Sequence, residues 1–171
     1  ECTFRLDSNR SWSFATCMDV AEDLAGLPVE YLEEPLRNGE SLPQLIAQCP
    51  LPIALDETLR EITAEELMRY RGAAALVLKP TLMGGFEICS RFAEAGASMG
   101  MKSIVSSCYE SGVGIFTLGR FASSLDYIGA AGLDTYSHIQ KDLLTTRLPL
   151  DKYRFCSLTP LPSVDESALL D

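Results

Sequence analysis

With 171 residues, 47% of them hydrophobic and 22% charged, the chain has an ordinary globular composition and enough length for one core. Its formal charge of −10 argues against nucleic acid or an anionic membrane surface as a partner, since either would repel it. The apolar runs are also short of the roughly 20 residues that cross a bilayer.

In chain order, residues 3–7 read as a strand closing on Asp7. Ser13 can cap a helix running to about Leu24, with Gly26 as its stop. Residues 29–33 form the next strand, ended by Pro35. Ser41-Leu42-Pro43-Gln44 has the spacing of a capping box with an early proline and opens a short helix. Residues 51–56 form a strand, and Thr63-Ala64-Glu65-Glu66 opens a helix to about Tyr70 by a second capping box. A strand over 73–79 leads through Gly84-Gly85 to a helix over 86–99 stopped by Gly100. A strand over 102–107, an apolar helix over 112–124 and a weaker strand over 127–134 follow. Residues 141–171, with Pro149, Pro160 and Pro162, read as a tail packed on the outside of a domain formed by residues 1–140.

The strands are apolar through most of their length rather than alternating, which predicts a parallel sheet covered on both faces. Strand and helix repeat every 25 residues or so, close to the roughly 30 per unit of a (β/α)₈ barrel. Six strands cannot close eight, so the fold expected is α/β, a partial TIM-type barrel with about two strands missing upstream. Glu1-Cys2-Thr3-Phe4 begins inside a strand without initiator or signal, and a longer parent is expected. The six cysteines contain no C-x-x-C pair, which predicts free thiols in a reducing compartment and no zinc site.

Four of the strands end in a charge. Asp7, Glu33, Asp56 and Lys79 follow one another at intervals of 26, 23 and 23 residues (7 to 33, 33 to 56, 56 to 79). A parallel barrel builds its active site at the C-terminal ends of its strands. Three carboxylates converging there make a hard-cation site suited to Mg²⁺, and a lysine beside it can act on a carbon acid. Taken singly, Asp7 reads more readily as a turn residue, and Glu33 or Asp56 as a solvated strand end. Lys79, after Leu76-Val77-Leu78, is costly there unless paired or functional. A shared phase in one repeat is what favours a common site. Ser106-Ser107-Cys108-Tyr109-Glu110-Ser111-Gly112 lies on the same face and offers hydroxyls and a helix N-terminus to a substrate carboxylate, or simply a helix cap. Gly132 closes the last strand there with the same ambiguity. His138, the only histidine, reads as structural, and Trp12 as loop packing.

These residues resemble the barrel half of the enolase superfamily, in its muconate-lactonizing branch. The matching motifs are Arg5-Leu6-Asp7-Ser8-Asn9-Arg10, Tyr31-Leu32-Glu33-Glu34-Pro35, Ala54-Leu55-Asp56-Glu57 and Val77-Leu78-Lys79-Pro80-Thr81, in order and spacing over about residues 3–135. Within that branch, Leu55-Asp56-Glu57-Thr58-Leu59, Lys79-Pro80-Thr81-Leu82-Met83-Gly84-Gly85 and the segment from Ser106 resemble the o-succinylbenzoate synthase family of menaquinone and phylloquinone biosynthesis. The resemblance implies strands three to eight of the barrel, with the capping domain and a second-strand Lys-x-Lys motif lying upstream. It implies Mg²⁺, with Mn²⁺ as a substitute, on Asp7, Glu33 and Asp56. Asn9, Glu34 and Glu57 would stand behind those ligands. Lys79 would be catalytic, and Ser106, Ser107, Glu110, Ser111 and Gly132 would hold the substrate. The implied activity is a carbon–oxygen lyase that dehydrates a hydroxycyclohexadiene carboxylate. A dipeptide or N-acylamino-acid epimerase of the same branch, and a truncated half-barrel without catalysis, stay open. The expected partners are a small carboxylate and the N-terminal half of the same polypeptide, with oligomeric state open. The expected compartment is the cytoplasm of a bacterium, or a plastid in a plant or alga.

Overall fold

A computed structural model of the chain describes residues 2–37, 41–148 and 163–169. Five parallel strands lie side by side in sequence order, β1 (Phe4–Asp7), β2 (Val29–Glu33), β3 (Ile53–Leu55), β4 (Ala75–Leu78) and β5 (Lys102–Val105). The sheet curls into a half-barrel. Its helices are α1 (Phe14–Leu24), α2 (Leu42–Gln48), α3 (Pro80–Met83), α4 (Phe86–Ser98) and α5 (Gly112–Ser123). Among the described residues, no helix is long and apolar enough to cross a membrane.

Alternation along each strand separates two faces. Leu32, Ile53, Leu55, Leu76 and Leu78 point outward into the main core, where they meet Cys17, Leu45, Leu67, Cys89 and Phe92 from the surrounding segments. Each such leucine removed from water contributes about 2 kcal/mol. The inner face carries a smaller cluster of Tyr31, Ala54, Ala75, Val77 and Ile104. Helix α4 shows how sequence makes this packing. Its buried residues Cys89, Phe92, Ala93 and Gly96 fall on one stripe, and a Cβ at Gly96 would lie 2.5 Å from Leu76 Cδ1. Gly100, at φ +79°, then turns the chain into β5.

The N-terminal end of the inner face is ion-paired. Arg5 Nε donates to Glu30 Oε2 at 2.8 Å, and Lys102 Nζ lies 3.8 Å from Glu30 Oε1. Arg5 also lies over the Tyr31 ring and donates to the Ala130 carbonyl at 2.6 Å. That last bond joins the first strand to the chain beyond the fifth.

The observed elements depart from expectation in local ways. The strand expected over 127–134 is reduced to two parallel bridges, Ser103↔Ile128 and Ser106↔Gly132. Its centre, Gly129-Ala130-Ala131-Gly132, carries nothing larger than a methyl group to pack on a pleated surface. Ser41 precedes α2 without bonding its first turn, so that capping box does not form. In the second box Glu66 Oε2 accepts from Thr63 N at 2.9 Å, but the segment Glu65–Tyr70 is a 3₁₀ helix. Ser13 does cap α1, its side chain accepting from Thr16 N at 3.1 Å. Gly26 is not left-handed, since α1 ends on Ala25 in a right-handed conformation. Leu144 and Leu148 pack with Ile115 and Leu118 of α5. Pro149, Pro160, Pro162 and Cys156, with most of the expected tail, lie outside the described residues.

Candidate metal and active site

The parallel register carries the four charges to one end of the sheet. Asp7 and Glu33 are direct cross-strand partners at the ends of β1 and β2, so their backbones are about 4.8 Å apart. Asp56 follows β3, and Lys79 follows β4. Pro80 keeps Lys79 out of the helical region (φ −115°, ψ 85°), and the chain turns there from the strand into α3. The Lys79 ammonium lies against Asp56 Oδ2 and 3.9 Å from Glu33 Oε1. The Asp56 side chain is 5% exposed, that of Glu33 13% and that of Lys79 18%. Asp7 sits at the exposed rim, its Oδ1 accepting from Asn9 N at 2.7 Å.

The electrostatics show that these acids feel one another. Burial pushes the Glu33 carboxyl up to about 8, and the charges of Asp7 and Asp56 add to the effect while Lys79 opposes it. Glu57, half-buried, is raised by burial and then by Asp56. For Lys79, burial lowers its amine, but the hydrogen bond to Asp56 and the charges of Asp56 and Glu33 outweigh that and hold it above its ordinary value. Lys79 is therefore a cation at neutral pH.

Behind the rim, Glu34 is 1% exposed yet fully engaged. Its Oε2 accepts from Asp56 N at 2.9 Å, and its Oε1 accepts from Thr58 Oγ1 at 2.5 Å and from Arg10 Nε and Nη2 at 3.1 and 2.9 Å. It thus fixes the backbone of the Asp56 loop.

The segment after β5 is tied down on every side. Ser107, 5% exposed, donates to the Gly132 carbonyl at 3.1 Å and shares a hydrogen bond with Thr135 at 2.6 Å. Ser106 Oγ lies 3.4 Å from the same carbonyl. Glu110 accepts from Thr81 Oγ1 and from Cys108 N, each at 2.5 Å, and so joins this loop to the one following Lys79. Ser111 precedes α5 without a side-chain cap bond. Instead Asp142 Oδ1 accepts from Gly112 N at 2.7 Å. The first amide of α5 is therefore already matched to a carboxylate, which weakens its attraction for a second anion. His138 is exposed and stands beside Tyr109, ring centroids 6.3 Å apart. Trp12 packs on the main core.

The structure thus brings Asp7, Glu33, Asp56 and Lys79 together, with Ser106 at the next strand end and Asn9, Glu34 and Glu57 around them. Sequence reasoning missed Arg10, Thr58, Thr135 and Asp142. All four have side-chain partners 6 or more residues away, such as Tyr136 for Asp142, which no local signal records. Among the described residues, no three His, Cys, Asp or Glu side chains are placed to grip a metal ion together. The chemistry of the donor set nevertheless fits a hard divalent cation. Three carboxylates sit at neighbouring strand ends, and the burial and repulsion that lift Glu33 are what such a cation would offset.

A half-barrel with acids at three successive strand ends defines a class of (β/α) protein whose relatives can be sought. Residues 1–155 match the family described as "Enolase C-terminal domain-like", and the chain belongs to that family. It is 31% identical over 147 residues to the o-succinylbenzoate synthase of Yersinia pestis, covering 84% of this chain and 45% of that protein. It is 30% identical over 164 residues to "Protein PHYLLO, chloroplastic" of Arabidopsis thaliana, covering 84% of this chain and 10% of that protein. Among solved structures, a muconate lactonizing enzyme from Pseudomonas fluorescens superimposes with a TM-score of 0.86 at 22% identity, over 99% of this chain and 47% of that one. The chain therefore spans less than half the length of each.

Proposed function

We propose that this chain is the larger part of the barrel of an o-succinylbenzoate synthase, which dehydrates 2-succinyl-6-hydroxy-2,4-cyclohexadiene-1-carboxylate to 2-succinylbenzoate. The observation that carries the reading is the strand-end cluster of Asp7, Glu33, Asp56 and Lys79 in a member of this family. The named synthase relatives support the choice of reaction.

In this reading Asp7, Glu33 and Asp56 would hold Mg²⁺. Bound there, the ion would supply Lewis-acid stabilisation of the substrate carboxylate. Removal of the proton α to that carboxylate concentrates negative charge on its oxygens. Lys79, a cation held between Asp56 and Glu33, would face that charge and stabilise the enediolate. The lysine that takes the proton and assists departure of hydroxide would come from a segment outside this sequence. Loss of that proton and hydroxide amounts to one water and leaves the aromatic product. The loop around Ser106 and Ser107 would form one wall for the succinyl arm, with Glu110 fixing it to Thr81. The reaction would take place in the cytoplasm of a bacterium or the plastid of a plant or alga.

The test uses the full-length protein with Mg²⁺ and the hydroxycyclohexadiene precursor, following 2-succinylbenzoate by absorbance. Turnover that disappears with EDTA and returns with Mg²⁺ or Mn²⁺ is the expected result. A folded, Mg²⁺-binding protein that leaves the precursor untouched, but racemises N-acyl amino acids or dipeptides, would replace this reading with an epimerase.

A further inference from the structure

We propose that Arg10 is a positioning residue, whose guanidinium clamps together the three loops that present Asp7, Glu33 and Asp56. The inference rests, for its functional half, on the reading of those acids as metal ligands.

Each acid opens a different loop; the sheet register spaces the strand ends, and the loops beyond them depend on contacts with one another. Arg10 belongs to the loop after β1. Its backbone N–H donates to the Glu34 carbonyl at 3.0 Å, tying that loop to the one after β2. Its Nε and Nη2 donate to Glu34 Oε1 at 3.1 and 2.9 Å. Nη2 reaches Thr58 Oγ1 at 3.1 Å and Nη1 reaches Glu61 Oε1 at 2.5 Å, both beyond β3. Glu34 completes the circuit through Asp56 N and Thr58 Oγ1. One planar group therefore contacts all three loops at once.

Two features make this more than a surface ion pair. Glu34 and Thr58 are 1% and 2% exposed, so the acceptor side of the clamp is buried, while the Arg10 side chain keeps 24% exposure and reaches out to Glu61 at the surface. Asn9, Arg10 and Glu34 also hold φ of +49°, +53° and +34°. Non-glycine residues take that region only where the surroundings over-determine them. The clamp supplies what holds both loops in it. The geometry also selects arginine. Five donors in a fixed fork can serve Glu34, Thr58 and Glu61 together, whereas a lysine ammonium cannot span them.

The experiment compares wild type, Arg10→Met and Arg10→Lys in the full-length protein. Amide-resolved hydrogen exchange is read without metal, and the Mg²⁺ dissociation constant is read by calorimetry. The expected result for Arg10→Met is exchange at Asp56 and Glu34 accelerated by about tenfold or more relative to the amides of β4 and β5. Its Mg²⁺ dissociation constant should rise by about 10- to 100-fold, the usual effect of removing a group that orients ligands. Arg10→Lys should recover only part of the affinity. Unchanged exchange at Asp56, or wild-type Mg²⁺ affinity in Arg10→Met, would overturn the proposal. If Arg10→Met does not fold, Arg10→Lys decides: Mg²⁺ affinity weakened by about threefold or more upholds the clamp, and wild-type affinity refutes it. If the wild-type protein itself binds no Mg²⁺, the ligand reading fails, and the exchange data alone uphold or refute the clamp.

Discussion

The two ends of the inner sheet face carry similar residues in different proportions. At the N-terminal end, Arg5 and Lys102 share one acid, Glu30, and Arg5 takes the Ala130 carbonyl as well. At the C-terminal end, Asp7, Glu33 and Asp56 face, among the described residues, the one cation of Lys79. The first arrangement gives its one acid two cations and lowers the Glu30 carboxyl, chiefly through the Arg5 hydrogen bond. The second leaves an excess of negative charge, which adds to burial in lifting Glu33 to about 8. A paired acid at the N-terminal face of a barrel serves stability, and a cluster of acids at the C-terminal face marks chemistry.

The comparison can be broken most severely at Lys79. Lys79→Ala in the full-length protein should lower turnover by about 10²- to 10³-fold. Calorimetry should find Mg²⁺ binding kept, and near wild-type rates would contradict the assignment. Glu34→Ala acts one layer behind, leaving Asp56 N without its acceptor and Arg10 without its buried one. It should cost about 3–5 kcal/mol in denaturant unfolding, and a loss below about 1 kcal/mol would mean the loops do not depend on it. Arg5→Met tests the other end. It should cost about 2 kcal/mol of stability and leave turnover of the remaining folded enzyme within about twofold. A large drop in turnover at full folding would erase the proposed division of labour.

The smallest effect is in pH. A carboxylate lowered on folding contributes stability that is present above its unfolded value and lost as pH falls through the folded one. Glu30 is such a group. The wild-type protein should therefore lose part of its stability on acidification below the ordinary glutamate range. Glu30→Gln should show a shallower loss in acid unfolding curves, and identical curves would mean that the Arg5 pair contributes nothing.

Much of this was legible in the sequence because the signal was local. A short apolar run closed by a charge fixes both a strand and the position of its last residue, and four such runs in phase placed Asp7, Glu33, Asp56 and Lys79 on one face. The 86–98 helix was equally plain, since its apolar stripe and flanking glycines lie within one segment. The expected strand over 127–134 failed because Tyr127 and Ile128 suggested a strand while the glycines and alanines after them could not sustain one. Ser41 had the right spacing for a cap without the geometry. Arg10 and Asp142 were invisible for a different reason. Their partners are set by how distant strand ends and helix starts are brought together, and one sequence carries no record of that.

The most direct test of the central claim is anomalous scattering from crystals of the full-length protein soaked in Mn²⁺. The account predicts one strong peak bounded by the carboxylates of Asp7, Glu33 and Asp56, with the Lys79 ammonium withdrawn from Asp56. Crystals that show no peak among these residues, with the Lys79–Asp56 pair intact, would contradict it.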